Sequence, residues 1–173
     1  MYIQQDAALL EVDLWVKEDG NGSSDKRLLS MYAEIEGRYD FDEMLEGEIT
    51  SDLGSLVMDY LLLDESVEAV IQVSAKVDRP RHVSFTAFSS GFPQEIVLFD
   101  GKFSGNQNLF QHVVAVKADG KLDICLKSEE SLIWWTFQEG VVGAIRSLDD
   151  SELKYGQFEV TVLFAPQKLH RVS

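Results

Sequence analysis

The sequence has few of the residues that mark secreted, membrane or disulfide-bonded proteins. Cys125 is the one cysteine among 173 residues, so no disulfide can form within the chain, and a reducing compartment is expected. No apolar run approaches the roughly 18–20 residues of a membrane span. The first residues also lack the basic and apolar regions of a secretory signal. We therefore expect a cytoplasmic, intracellular protein without a membrane partner.

Basic residues are scarce as well. The chain has 15 Lys and Arg against 30 Asp and Glu, which gives a net charge of −15. Twelve acidic residues and one basic residue lie between Glu34 and Glu68. Such a charge repels the phosphates of nucleic acids and of anionic membranes. We expect no nucleic-acid partner, and the partner predicted here is a protein with a basic surface.

Motifs for catalysis and for cofactor binding are absent from the sequence. It contains no Walker loop, no G-x-G-x-x-G and no G-x-S-x-G elbow. The stretch DGNGSSDKRLLS (19–30) fails as a calcium loop, because Ser24 replaces the required glycine and Ser30 the bidentate glutamate. The three histidines show no paired spacing with Cys125 that would indicate zinc. We predict a protein that is not an enzyme and has no metal site and no cofactor.

Apolar and polar residues alternate along most of the chain. The faces that this pattern assigns to the core are Leu10, Val12, Leu14 and Val16; Leu29, Met31, Ala33 and Ile35; Val67, Ala69, Ile71, Val73, Ala75 and Val77; Val83, Phe85 and Ala87; and Phe158, Val160, Val162 and Phe164. Period-two alternation is typical of half-buried antiparallel strands. The sequence predicts an all-β fold with little helix, as a single antiparallel β-sandwich domain over residues 1–173. A partly open β-barrel is the alternative arrangement.

The stretch QHVVAVKADGKLDICLK (111–127) has the strongest turn signal, at Asp119-Gly120. A two-strand hairpin closed there would place Val113 beside Leu126 and Ala115 beside Ile124. In that register His112 and Cys125 share a face, which leaves a Cys–His pair open as a weakly supported catalytic alternative.

Three tryptophans are the most informative single residues. In SLIWWTF (131–137) the two neighbouring indoles must point to opposite faces of a strand. Trp135 has the parity of Ile133 and Phe137, so it is predicted to enter the core, which leaves Trp134 outside. Trp15 lies on the polar side of its own strand. Trp15 and Trp134 are therefore the candidate ligand-binding residues, because exposed indoles can stack on a ring-bearing ligand.

The segment from Tyr39 to about Leu53 is predicted to be an exposed acidic loop. Its carboxylates repel each other at neutral pH, and few Lys or Arg residues lie near them in the sequence. Carboxylate oxygens also suit calcium, but a solvated or partner-binding surface is the prediction preferred here. The candidate partner-binding residues are Asp40, Asp42, Glu43, Glu46 and Glu48.

Four stretches of the chain resemble an uncharacterised plant domain of unknown function that is abundant in grasses. They are LEVDLWVKEDGNGSSDKRLLS; GSLVMDYLLLDESVEAVIQVSAKV; SFTAFSSG with EIVLFDGK and VVAVKADGKLDICLK; and GQFEVTVLFAP. Two positions depart from the family pattern. Leu163-Phe164-Ala165 replaces a common Trp-Ser ending, and Gly156-Gln157 stands where a cysteine often precedes the last strand.

In some proteins that plant domain follows an rRNA N-glycosidase domain, as in jasmonate-induced ribosome-inactivating proteins. The resemblance implies no catalytic residues, and an N-glycosidase domain is not found in this chain. It favours a non-catalytic interaction or regulatory module in plant stress or defence. The alternative function is a small-ligand or cap-analogue binding domain that uses Trp15 and Trp134.

Overall fold

The computed structural model describes residues 7–16, 25–36, 42–129, 131–140, 144–146 and 156–165. These residues form strands and the turns between them. None of them belongs to a helix that is long and apolar enough to cross a membrane.

The chain divides into two compact units, Met1–Leu62 (unit 1) and Leu63–Ser173 (unit 2). Every strand pairing among the residues that the structure describes is antiparallel. The predicted all-β, antiparallel fold class is therefore confirmed. The single domain over residues 1–173 stays a prediction.

Unit 1 consists of two antiparallel pairs of strands. β1 (Ala7–Val16) pairs with β2 (Lys26–Glu36), and β3 (Met44–Ser51) pairs with β4 (Gly54–Leu61). The hydroxyl of Ser51 donates a hydrogen bond to the carbonyl oxygen of Leu28 at 3.2 Å, which joins the two pairs. The prediction of a loop from Tyr39 to about Leu53 is wrong between Met44 and Ser51, because these residues form β3.

Among the described residues of unit 1, three form a buried core. Its buried members are Val12, Leu29 and Ile49, and partly buried apolar residues pack around them. Three residues that alternation assigns to the core, Leu14, Val16 and Met31, are each 40% exposed. The register of β1 with β2 shifts after Leu14, so the alternation does not continue regularly to the end of this pair.

Unit 2 is built on two long strands, β5 (Ser66–Ser89) and β6 (Ile96–Lys117), which pair with each other along their length. The shorter strands are β7 (Lys121–Ser128), β8 (Leu132–Gln138), β9 (Ala144–Arg146) and β10 (Gly156–Phe164). The hydrogen-bonded order of the strands is β8-β7-β5-β10-β9. β7 and β10 pair with different parts of β5, and β6 pairs with β5 along both parts.

The inner face of β5 contributes more buried residues to the core of unit 2 than any other described strand. Val67, Ala69, Ile71, Val73, Ala75 and Val77 are at most 6% exposed, and so are Val83, Phe85 and Ala87. Phe158, Val160, Val162 and Phe164 of β10 are also buried. Burying one Val, Ile or Phe side chain contributes about 1.5–3 kcal/mol. The core faces predicted for these three stretches are confirmed.

β5 is irregular at Asp78-Arg79-Pro80, where its register with β6 shifts. Proline cannot donate a hydrogen bond to the ladder, and all three residues are exposed. The alternation predicts two strands here, but the structure has one strand with an interruption. Besides β6, each half has one further neighbour of its own, since β10 pairs with residues 69–77 and β7 with residues 83–89.

The two halves of β5 face each other across the core. The ring of Phe85, in the second half, lies 5.7 Å from that of Phe158 and 5.4 Å from that of Phe110. Phe158 is paired with Ala75 and Phe110 with Val73, both in the first half. The paired strands β5 and β6 are therefore folded over into two layers, with the apolar faces inside.

The predicted pairing within residues 111–127 is wrong. Both arms of the stretch pair with β5 instead, so that Val113 lies beside Val70 and Leu126 beside Phe85. Leu122, Ile124 and Leu126 point inward, as predicted. On β6, by contrast, Val114 and Val116 are buried and Val113 is 57% exposed, the reverse of the predicted face.

The predicted turn at Asp119-Gly120 is present and connects β6 to β7. Ser90, just after β5, hydrogen-bonds through its backbone to Lys117 and Lys121 and through its hydroxyl to Lys121. Asp119 has φ +58°, a left-handed conformation that aspartate tolerates. A Cβ on Gly120 would lie 2.6 Å from the carbonyl oxygen of Lys117. Only glycine therefore fits at this position of the turn between β6 and β7.

We expect Gly120→Ala to lower the free energy of unfolding by about 1–3 kcal/mol, because the added methyl group must displace backbone. Urea unfolding followed by circular dichroism measures the change. Gly101→Ala is the control, since its nearest neighbour is the movable side chain of Phe99 at 3.3 Å. Equal losses in the two variants would contradict this role for Gly120.

Candidate functional site

The two neighbouring tryptophans of β8 lie on opposite faces, as predicted. Trp135 is half-buried and packs against the core with Ile133. Trp134 points outward and is 52% exposed. The prediction that Trp135 is the core indole is confirmed.

Trp134 forms part of an apolar outer surface, which we call the Trp134 face and define as Phe88, Val97, Leu132 and Trp134. The rings of Phe88 and Trp134 are 5.3 Å apart at 35° to each other. Val97 and Leu132 are each 60% exposed. Such aromatic contacts are favourable, so the ring of Phe88 supports that of Trp134 while about half of the tryptophan stays exposed.

Cys125 lies beneath this surface. It is paired with Thr86 on one side and with Trp134 on the other. Because β7 runs between β5 and β8, the contact of Phe88 with Trp134 crosses β7 beside Cys125. The thiol is only 7% exposed although it points away from the core.

The Cys125–His112 pair of the sequence analysis does not form. His112 lies on β6 and is paired with Ile71 of β5. Its Nε2 lies 2.9 Å from the carbonyl oxygen of Leu98. Burial raises the pKa of the Cys125 thiol, and the nearby charge of Lys127 lowers it by less. A neutral thiol under an indole is a small apolar filler rather than a nucleophile.

Asp123 and Thr136 join β7 to β8 beside the same surface. The Thr136 hydroxyl donates to the Asp123 carboxylate at 2.6 Å, and the Lys121 ammonium donates to it at 2.7 Å. Burial raises the pKa of Asp123, but the two hydrogen bonds together outweigh it, and the pKa is lower than usual. The ionised carboxylate therefore helps to hold β8 in the sheet at neutral pH.

An open depression of about 360 Å³ lies on the same outer side of unit 2. It is lined by His82, Ser84, Asp100, Lys127, Ser128 and Glu129. His82 Nε2 is 3.3 Å from Asp100 Oδ1, and both side chains are more than half exposed. The described residues contain no group of three or more His, Cys, Asp or Glu that could hold a metal ion.

Trp15, the second predicted ligand residue, lies in unit 1 and is also 52% exposed. The guanidinium of Arg27 sits 5.5 Å from its ring centroid. Arg27 Nε also donates to Asp13 Oδ1 at 2.7 Å, and this hydrogen bond lowers the pKa of Asp13. A side chain of the protein itself therefore already occupies part of this ring.

The candidate acidic residues are exposed where the structure describes them. Asp42 and Glu43 precede β3, and Glu46 and Glu48 lie on its outer face. Asp40 falls outside the described residues. Glu46 is directly opposite Asp59 of β4. Their role in binding a partner stays a prediction.

Like charges directly opposite each other destabilise a strand pair. We expect Asp59→Lys to raise the free energy of unfolding by about 0.5 kcal/mol at low salt. Asp59→Asn should give a smaller gain, since it removes repulsion without adding attraction. Thermal melting at low and high ionic strength measures both. A gain for Asp59→Lys that is unchanged by salt would contradict an electrostatic origin.

Phe88, Val97 and Leu132 were missed by the sequence analysis. They come from β5, β6 and β8, and only the register of the sheet places them on one face. The exposed parity of Leu132 was visible in the sequence, because it matches that of Trp134.

A family model described as a domain of unknown function (DUF6598) matches residues 2–162. No curated protein and no solved structure matches the chain. The predicted resemblance to a domain of unknown function is confirmed, while its plant origin and its link to N-glycosidase proteins stay predictions. Because the match covers most of the sequence, the chain belongs to the DUF6598 family.

Proposed function

We propose that the chain is a non-catalytic protein-binding module that uses the Trp134 face. The observation that carries the proposal is the half-exposed ring of Trp134, which contacts Phe88 on an outer face that also exposes Val97 and Leu132. Tryptophan is among the residues that contribute most binding energy at protein interfaces. The neighbouring depression is open, so it favours a large partner over a small molecule enclosed in a pocket.

The proposed partner is a protein with a basic surface. The net charge of −15 attracts such a surface over distance and accelerates association at low salt. Glu46 and Glu48 of unit 1 offer further exposed carboxylates. We propose a role in intracellular plant stress or defence, beside ribosome-inactivating proteins, and the resemblance described in the sequence analysis is what supports it.

A small-ligand or cap-analogue binding domain remains the alternative. The exposed ring of Trp134 favours it, since a planar ligand could stack there. The charge of the chain disfavours a triphosphate. Titration of cap analogues against tryptophan fluorescence distinguishes the two functions. The alternative predicts a saturable change that Trp134→Ala abolishes.

For the proposed function, we expect Trp134→Ala to weaken capture of a specific partner from leaf extract at least tenfold. Trp15→Ala is a matched control, because both tryptophans are 52% exposed. The captured protein is identified, and its affinity for each variant is measured by calorimetry. Equal affinities for the wild type and Trp134→Ala, or turnover of a small-molecule panel by the wild type, would contradict the proposal.

A further inference from the structure

β8 lies at an edge of the sheet in unit 2. One of its edges pairs with β7 from Leu132 to Gln138, and no described residue pairs with the other. The outer edge of a strand presents a row of backbone N–H and C=O groups. Such a row can hydrogen-bond to an added strand.

The usual protection of edge strands is missing from β8. Residues 132–138 contain no proline, glycine or lysine, and their register with β7 has no shift that would indicate a bulge. Leu132 and Trp134 are exposed on one face. A regular apolar edge of this kind is a template for strand addition.

Acidic residues stand at both ends of β8 instead. Glu129 precedes it and is 71% exposed, although Arg81 lies 4.0 Å away. Glu139 follows it, and its carboxylate accepts a hydrogen bond from the backbone of Asp119. The sequence has no Lys, Arg or His between Ser128 and Ile145.

These charges disfavour a second copy of the chain as the added strand. Antiparallel pairing of two β8 strands about Trp135 would bring Glu129 of one copy near Glu139 of the other. Parallel pairing in register would place each glutamate beside its equivalent. Both arrangements oppose like charges, between chains that each carry −15.

Basic residues on β7 do not cancel this effect. Lys121 is paired with Asp123, and Lys127 lies one strand further from the outer edge. An added strand would be about 10 Å from β7, because neighbouring strands are about 4.8 Å apart. That distance exceeds the screening length of about 8 Å at physiological ionic strength.

We propose that the outer edge of β8 binds an extended segment of a different protein, which adds as a strand to the sheet. The segment has apolar β-branched residues at alternate positions in its centre and Lys or Arg at both ends. Backbone hydrogen bonds supply affinity, the exposed Leu132 and Trp134 of β8 select the apolar side chains, and Glu129 and Glu139 select the basic ends. This inference rests on the proposed function and specifies how the partner is held.

The probe is the labelled peptide Lys-Thr-Ile-Thr-Ile-Thr-Ile-Lys, and fluorescence anisotropy reports binding. We expect at least tenfold weaker binding for the same peptide with Glu at both ends. A peptide N-methylated at alternate residues should also lose at least tenfold, because it lacks the N–H groups that pair with β8. Equal binding of the N-methylated peptide would overturn strand addition.

Two charge variants test the selection of the ends. Glu129→Lys should weaken binding of the Lys peptide several-fold and strengthen binding of the Glu peptide. Glu68→Lys, the same change on an exposed residue of the other layer, should change neither affinity. Equal effects of the two variants would show that only net charge matters and would overturn the selection by β8.

The outcomes separate this inference from the proposed function. If Trp134→Ala loses the captured partner but no peptide binds, strand addition is wrong and the Trp134 face holds a folded surface. Sedimentation that shows a dimer of the chain, dissociated by the Lys peptide, would overturn the choice of a different protein as partner.

Discussion

The packing of Phe85 against Phe158 and Phe110 is the contact on which the rest of unit 2 depends. β5 has 24 residues, whereas strands in globular proteins commonly have about five or six. A flat hairpin of that length would leave its apolar face in water. The interruption at Asp78-Arg79-Pro80 lets the hairpin fold over, so that each half covers the other.

The outer surface follows from this arrangement. The second half of β5 is paired with one edge of β7, and β8 is paired with the other edge. Its inward residues Ile133, Trp135 and Phe137 belong to the core, and its outward residues Leu132 and Trp134 are more than half exposed. Trp134 is exposed because alternation in a strand that buries Trp135 leaves no other direction for it.

A protein that exposes an indole and an apolar edge also risks self-association. The charges around β8 reduce that risk without closing the edge. Glutamates at the ends of a strand repel a second copy but attract a strand with basic ends. Under the proposed strand addition, one set of residues would therefore both oppose self-association and select the partner.

The sequence predicts the inner faces well where β-branched residues alternate without interruption. The stretches Val67 to Val77 and Phe158 to Phe164 are clear examples. Their apolar residues recur at every second position, and a β-strand places such residues on one face. It also assigns Trp135 and Trp134 correctly, since Ile133 and Phe137 determine the apolar parity.

Pairing partners were much harder to predict. Asp119-Gly120 shows that the chain turns, but not that both arms pair with β5. β3 was not predicted, because it contains Glu46, Gly47 and Glu48, and closely spaced charges with a glycine are typical of loops. Phe88, Val97 and Leu132 of the Trp134 face come from three different strands. The register between those strands cannot be predicted from any local pattern in the sequence.

Native-state hydrogen exchange tests the account most directly. The folded-over hairpin predicts that amides in both halves of β5 exchange slowest and together, because β5 is paired on both edges and covered by the core. Alternate amides of β8, those on its outer edge, should exchange many-fold faster than the amides bonded to β7. Uniform slow exchange along β8, or separate exchange of the two halves of β5, would contradict the account.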